Sequence, residues 1–219
     1  KDFDKETIEF IDCTFSNDRD FFEQVLNIKK MYKDNKIHYL TPQHSNTGGV
    51  SNMNRLLKKL NNPKGVWIND DYNEDDLVIR TENDYSDEDN ILVNGDYGYL
   101  RRKNKEIVVE YVTGQTEHVT DKILRDSFMH FWCSTIHKMQ GSQDEIIVLL
   151  MDPSHSMWNY NEDKKNLLYT AISRCTKKCI ILGNWDTFKM AQIPVKSNFY
   201  TLFMKEFQDS ETGDIYTHE

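Results

Sequence analysis

The chain has 219 residues, with 36 acidic against 27 basic side chains and a formal net charge of −9. That balance argues against a broadly basic nucleic-acid binder, but Lys58-Lys59, Arg101-Arg102-Lys103 with Lys105, Lys164-Lys165 and Lys177-Lys178 leave local patches able to meet phosphates. No apolar run approaches the roughly 20 residues of a membrane span and the N-terminus has no signal-peptide h-region, so the expected setting is intracellular, in the cytoplasm or in a nucleus or viral factory, with no membrane partner.

Hydrophobic residues make up 38% of the chain, a low share, but aromatics reach 12% and can supply a core. The length suits one large domain, or one domain carrying a small insertion. Cys13, Cys133, Cys175 and Cys179 are scattered, three of them in or beside apolar segments. They read as buried free thiols of a reducing compartment; no second pair stands at zinc spacing, and no metal site is expected. The chain starts at Lys1 without a methionine, and the expectation is a piece of a longer protein.

Ile8 to Phe15 mixes β-branched and aromatic residues and predicts a strand. Asp18 to Asn35 predicts a helix with Phe21, Phe22, Val25, Ile28 and Tyr32 on one face and Asn17 or Asp18 as its cap. Ile37 to Leu40 is a short strand, and the β–α–β order suggests a parallel pair with a right-handed crossover. The polar loop Thr41 to Gly49 follows. Val50 to Leu60 is a helix with Met53, Leu56, Leu57 and Leu60 apolar and Ser51 near its start, closed by Asn61-Asn62-Pro63.

From Pro63 to Leu124 the chain turns acidic and strand-like, with short strands at Leu77–Arg80, Ile91–Val93, Tyr97–Leu100, Ile107–Val112 and Glu117–Thr120. Asn94-Gly95-Asp96 and Thr113-Gly114-Gln115 are turn signals, and Gly95 and Gly98 are read as positions of positive φ or a sharp corner. Close strand spacing suggests a small β-barrel. Asp84 to Asn90 holds four acidic residues but lacks the glycine and final glutamate of a calcium loop, so it reads as a solvated loop.

Phe128 to Gly183 organises the whole. Phe128–Cys133, Glu145–Met151 and Cys179–Leu182 are apolar runs, and the middle one suits a strand buried on both faces of a largely parallel sheet. Lys164 to Cys175 has a helical pattern: Leu168, Ala171, Ile172 and Cys175 face the sheet, while Asn166, Thr170 and Arg174 form the opposite stripe. Ligand-binding groups are expected outside the carboxyl edge of such a sheet. Ser134 and Thr135 are placed to cap a short helix with free amides, and His137, Lys138, Gln140 and Ser142 add donors around Gly141. Trp132 sits in an apolar run and reads as core, and Trp158 is a candidate stacking platform. Asp152 to Asp163 is a polar loop, Asn184 to Gln192 a last short helix stopped near Pro194, Phe199 to Phe207 a further helical stretch, and Ser210 to Glu219 a frayed end.

Thr135-Ile136-His137-Lys138-Met139-Gln140-Gly141-Ser142 resembles motif V of superfamily 1 helicases in the RecD-like and Dda-like form, and Leu167-Leu168-Tyr169-Thr170-Ala171-Ile172-Ser173-Arg174 resembles motif VI. Tyr39 through Pro63, with Asn54-x-x-Leu57, looks like the motif IV region. Asp76 to Tyr85 followed by Val93-Asn94-Gly95-Asp96-x-Gly98 resembles the SH3-like insertion of RecD-like second domains. The resemblance implies an α/β RecA-like domain with a mostly parallel sheet flanked by helices: residues 1–65 and 126–195, an SH3-like β-barrel insertion at 66–125, and a C-terminal tail at 196–219. It implies an ATP-dependent 5′-to-3′ DNA helicase of replication or repair, with single-stranded DNA and its own N-terminal RecA-like domain as partners.

Residue roles follow from the same resemblance. Arg174 is the catalytic arginine finger, whose loss typically costs about 10³ to 10⁵ in turnover. The bland alternative is a surface arginine paired with a carboxylate, worth at most about 1 kcal/mol. Gly141, Ser142 and Gln143 join Arg174 at ATP; Gln143 stands where related motifs carry a ribose-binding glutamate, a role that Asp144 or Glu145 could also take. Pro42, Gln43, His44 and Ser45 form the motif IV loop on the DNA strand, with only His44 where related loops carry a basic residue, and Thr135, His137 and Lys138 are the DNA-facing part of motif V. No G-x-x-x-x-G-K-[ST] occurs. ATP and Mg2+ are therefore cofactors of the full-length enzyme, with the Mg2+ ligands in an N-terminal domain, and this piece alone is expected to be inactive. Two other readings stay open: a superfamily 1 RNA helicase domain, and a non-enzymatic RecA-like interaction module.

Overall fold

The structure, a computed structural model, describes residues 7–16, 18–84, 91–139, 142–154 and 164–191, except the side chains of 164, 165, 190 and 191. Asn17, most of the acidic run after Asp84, Gln140, Gly141, Trp158 and Tyr160, Pro194, the Phe199–Phe207 stretch and the tail lie outside the described residues. In chain order the elements are β1 (Ile8–Asp12), α1 (Asp18–Met31), β2 (Ile37–Thr41), α2 (Val50–Asn61), β3 (Leu77–Arg80), β4 (Tyr97–Lys103), β5 (Glu106–Tyr111), β6 (Thr116–Val119), α3 (Asp121–Ser127), β7 (Phe128–His130), β8 (Cys133–Thr135), β9 (Asp144–Met151), α4 (Lys164–Ile172), β10 (Cys175–Gly183) and α5 (Trp185–Ala191). The fold is mixed α/β with a parallel sheet and helices, as the sequence predicts. It divides into two compact units, residues 1–42 with 139–219, and residues 43–138.

In the first unit four strands run parallel in the order β1, β10, β9, β2. Ile147 to Met151 and Cys179 to Leu182 are wholly buried, so the two most apolar runs take neighbouring central places. β1 and β2 are thus not adjacent, contrary to the pairing expected from their order. Glu9 and Asp12 leave β1 partly exposed along its length, which suits an outer position. α1 ends at Met31 rather than Asn35, because the Asn35 side chain and the Lys36 amide both turn to Glu145 (3.1 and 3.2 Å). α4 ends at Ile172. Cys175, expected on its apolar stripe, is instead the first residue of β10, opposite Asp144. It is buried all the same. Asn184 caps α5 by accepting the Thr187 amide at 3.1 Å.

Polar contacts to the buried Asp144 tie β2 and the residue before it to β9. Asp144 meets Lys36 Nζ at 2.6 Å, yet burial keeps its carboxyl above the usual carboxylate range. His38 approaches the same carboxylate at 3.8 Å, and burial with the nearby Lys36 charge pushes its imidazole down to about 3. The contact is therefore one of a neutral ring, not an ion pair.

The second unit holds an antiparallel sheet in the order β6, β5, β4, β3, β7. The barrel expected here appears as this open series of pairings among the described residues. The Phe128–Cys133 run splits: Phe128–His130 pairs antiparallel with β3, and Cys133 starts β8. Gly95 and Gly114 have φ of 108° and 93° and turn the chain at the two sequence-marked corners. Gly98 is different: it is a strand residue, and a Cβ there would lie 2.2 Å from the Glu110 carbonyl oxygen, so close strand approach demands it. Leu100, Val109 and Leu124 are wholly buried on the core side, with Val78 and Phe128 beside them.

Asp76, wholly buried, is the polar centre of this unit. Its carboxylate accepts from His130 Nε2 at 3.0 Å, Lys58 Nζ at 3.0 Å, Asn62 Nδ2 at 2.8 Å and the Asn73 amide at 2.8 Å. It therefore links α2, the following loop and β7. Burial raises its pKa, but these hydrogen bonds outweigh burial and hold the carboxyl below the usual range.

Replacing Asp76 by Asn should lower unfolding stability by about 3 kcal/mol near neutral pH, the scale for breaking a buried charge network. The folded pKa is depressed, so the wild-type advantage is complete above the unfolded value of about 4 and shrinks as pH falls through the lower folded value. Denaturant titrations of parent and variant, at neutral and at strongly acid pH, check both parts; equal neutral stabilities would remove Asp76 from the centre.

Candidate functional site

In the first unit the register of β9 against β10 places Arg174 beside the segment that leads into β9. The Asp144 amide donates to the Arg174 carbonyl at 3.1 Å, and Cys175 lies opposite Asp144. Ser142 and Gln143 precede β9 and Arg174 precedes β10, so these candidates sit at the amino ends of the strands. The carboxyl edge expected from sequence is occupied instead by Pro42, which follows β2. Helical spacing had put Arg174 on α4; it lies in the turn after it, where its amide donates to the Ala171 carbonyl at 3.1 Å.

The guanidinium is half-buried and meets only neutral oxygens among the described residues. Nε donates to the Thr170 carbonyl at 3.1 Å, Nη2 to Ser173 Oγ at 3.0 Å and Nη1 to the Ser142 carbonyl at 3.4 Å. No carboxylate of a described residue pairs with it. Gln143 is exposed and its Nε2 donates to the Ser173 carbonyl at 3.3 Å. Asp144 is committed to Lys36. Glu145 is pulled down to about 2 by Lys177, Asn35 and the Lys36 amide, so both are engaged within the sheet. Ser142, Gln143 and Arg174 are therefore brought together; Gly141 lies outside the described residues.

The second unit carries the other candidates. Gln43 is buried, and its carbonyl accepts the Val50 amide at 3.0 Å; the His44 carbonyl accepts the Ser51 amide at 3.2 Å. Gly49 is the cap position of α2, and Ser51 lies in its first turn. The loop thus spends backbone carbonyls on the first turn of α2 and leaves the His44 and Ser45 side chains exposed. Thr135 ends β8 and is followed by a turn, not a helix. Its carbonyl and Oγ1 both face the Lys138 amide, at 3.1 and 3.2 Å, so that amide is taken and not free for phosphate as the sequence reading had it. Ser134 is buried. His137 is exposed, and Lys138 is half-buried with its ammonium pKa lowered by burial.

Sequence reasoning missed what joins these segments. Asn54, buried in α2, donates from Nδ2 to the Cys133 carbonyl at 2.8 Å and accepts the Cys133 amide at 2.9 Å through Oδ1. One side chain thereby ties α2, which the 43–49 loop enters, to β8, which leads to Thr135. The available signal was an asparagine among the apolar positions of a helix, where a buried amide needs partners. Trp132 is buried and stacks on His130 with centroids 5.4 Å apart, in keeping with its reading as core. All four cysteines are free and buried, and among the described residues no His, Cys, Asp and Glu group could hold a metal ion. No described helix is long and apolar enough to cross a membrane.

Residues 130–182 match the family described as UvrD-like helicase C-terminal domain. The matched segment runs from the end of β7 through β10 and includes Arg174.

Among solved structures the chain is similar to Pif1 helicase from Bacteroides in complex with ADP-AlF3 and ssDNA, at 16% identity and a TM-score of 0.47, covering 90% of this chain and 52% of that one. It is similar to Bacteroides Pif1 bound to ssDNA at 18% identity and a TM-score of 0.44, covering 78% and 45%. Against Pif1 helicase from Candida albicans the values are 18% and 0.34, covering 71% and 40%. The chain thus spans about half the length of the Bacteroides Pif1 chains.

Truncating Asn54 to Ala leaves the buried Cys133 amide and carbonyl without partners. The expected loss is about 2 to 4 kcal/mol, from one to three for each orphaned group with partial relaxation. Chemical denaturation measures it, and a loss below about 0.5 kcal/mol, the range of a neutral surface change, would deny Asn54 this role.

Proposed function

We propose that this chain is the C-terminal, second RecA-like domain of a RecD-like superfamily 1 DNA helicase, acting 5′-to-3′ on single-stranded DNA within a longer enzyme. The observation that carries the reading is the state of Arg174: a guanidinium oriented by three neutral oxygens, with no carboxylate among the described residues to cancel its charge. A charge held this way is ready for an anion. It serves as an arginine finger, delivered to the γ-phosphoryl of ATP bound by a preceding N-terminal RecA-like domain. That domain holds Mg2+ and the phosphate-cradling loop that this sequence lacks.

In the same proposal, Gly141 and Ser142 line the nucleotide with Arg174. Pro42, Gln43, His44, Ser45, Thr135, His137 and Lys138 follow the DNA backbone, with Lys138 and exposed His137 as donors and the Asn54 tie keeping α2 and β8 in step. The antiparallel strands between them correspond to the SH3-like insertion, residues 66–125, within a domain formed by 1–65 and 126–195 and followed by the tail. The enzyme works in DNA replication or repair inside the cell. ATP draws the two RecA-like domains together through Arg174, and hydrolysis lets them part, so that the strand advances.

In the full-length protein, Arg174→Ala should lower DNA-stimulated ATP hydrolysis by about 10³ or more while leaving single-stranded DNA binding within a few-fold. Turnover measured with DNA and RNA homopolymers as stimulants separates the DNA reading from an RNA helicase. Retained hydrolysis in the variant would overturn the finger assignment, and a full-length protein without nucleotide hydrolysis would favour an interaction module.

A further inference from the structure

We infer that Ser173 and Gln143 are positioning residues for Arg174; this rests on the reading of Arg174 as the phosphate-facing arginine. The Ser173 hydroxyl donates to the Thr170 carbonyl at 2.9 Å, which commits its single proton. Its lone pairs are then the part offered to Arg174 Nη2 at 3.0 Å. The same Thr170 carbonyl receives Arg174 Nε at 3.1 Å. Hydroxyl and carbonyl therefore hold one edge of the planar guanidinium.

Gln143 closes the ring of contacts from the other side. Its Nε2 reaches the Ser173 carbonyl at 3.3 Å, while the carbonyl of the residue before it, Ser142, receives Arg174 Nη1 at 3.4 Å. The turn after α4 and the segment before β9 are thereby pinned together at the point where the guanidinium lies between them. Gln143 stands where related motifs have a ribose-binding glutamate, but here its amide is spent on the turn that carries the arginine.

The chemistry of these partners suits preorganisation. A carboxylate would orient Arg174 just as well but would neutralise it; neutral oxygens fix the plane and leave the charge. Of the five N–H groups of the guanidinium, three are used, and one on each terminal nitrogen has no acceptor among the described residues. Two donors on separate nitrogens are what a bidentate phosphate contact takes. A side chain already held in this plane loses less freedom when the transition state forms, so the gain falls on turnover, not on ground-state nucleotide binding.

The experiment measures DNA-stimulated ATPase kinetics and thermal unfolding of the full-length protein with Ser173→Ala, Ser173→Thr, Gln143→Ala and Arg174→Ala. Ser173→Ala should lower kcat about tenfold, the scale for losing one hydrogen bond to a charged group, with KM for ATP within about twofold and an unchanged melting temperature. Ser173→Thr, which restores the hydroxyl, should recover most of that loss. Gln143→Ala should lower kcat about threefold, again through one neutral hydrogen bond, without altering the preference for ATP over 2′-deoxy-ATP. A changed preference between those two nucleotides would make Gln143 a ribose ligand and overturn its positioning role. Parental kcat in Ser173→Ala, or no recovery by Ser173→Thr, would overturn the role of Ser173. In either case an inactive Arg174→Ala leaves the finger reading standing, whereas an active one removes that reading itself.

Discussion

The alignment of β9 against β10 is the constraint from which the candidate nucleotide-facing group follows. Asp144 stands opposite Cys175, and its amide is bound to the Arg174 carbonyl. Side chains alternate along a strand, so a slip of one residue would exchange the face against which every β10 residue packs. Cys179 to Leu182 are wholly buried, and a close-packed interior does not accept that exchange without repacking. The register shifts between Cys175 and Lys178, and beyond that irregularity the turn after α4 ends beside Ser142 and Gln143. The position of Arg174 thus follows from the pairing of β10 with β9 and from the backbone bonds of the turn itself.

The second unit is held by a different device. Several of its polar side chains are buried, and each must find partners there. Asp76 gathers a lysine from α2, the asparagine that caps it, an amide from the next loop and a histidine from β7. Asn54 satisfies both backbone groups of Cys133. Arg80 and Tyr111 converge on the two carboxylate oxygens of Glu117 in the same way. Such groups contribute little net attraction over an apolar core, but they penalise any other arrangement heavily, because each would leave a buried charge or amide unpaired.

These two devices fit the chemistry proposed for the chain. An acidic protein can still handle phosphates where a few cationic groups have no carboxylate partner. Lys36, Lys58, Lys177 and Lys178 are not such groups, since each is paired with a carboxylate. Arg174 meets neutral oxygens among the described residues, and Lys138 sits in a half-buried turn beside Thr135. A net negative charge then discourages diffuse binding and leaves discrimination to a few placed groups.

The pattern of the sequence determined the elements themselves. The buried run that became β9, the helix bearing Leu168 and Ala171, the strand at Leu77–Arg80 and the turns at Gly95 and Gly114 follow from apolar period and turn chemistry, which act over a few residues. The grouping of Ser142, Gln143 and Arg174 was legible through motif resemblance, and Trp132 through its apolar neighbours. Tertiary structure alone decided that β10 and β9 separate β1 from β2, that Phe128–His130 joins the antiparallel sheet, that Cys175 is strand, and that Arg174 lies at the amino ends of its strands. It also decided that Asn54 and Asp76 are the polar joints of the second unit. The physical reason is range: local pattern records what must be buried, whereas strand neighbours and hydrogen-bond partners depend on which distant surfaces compete best for that burial.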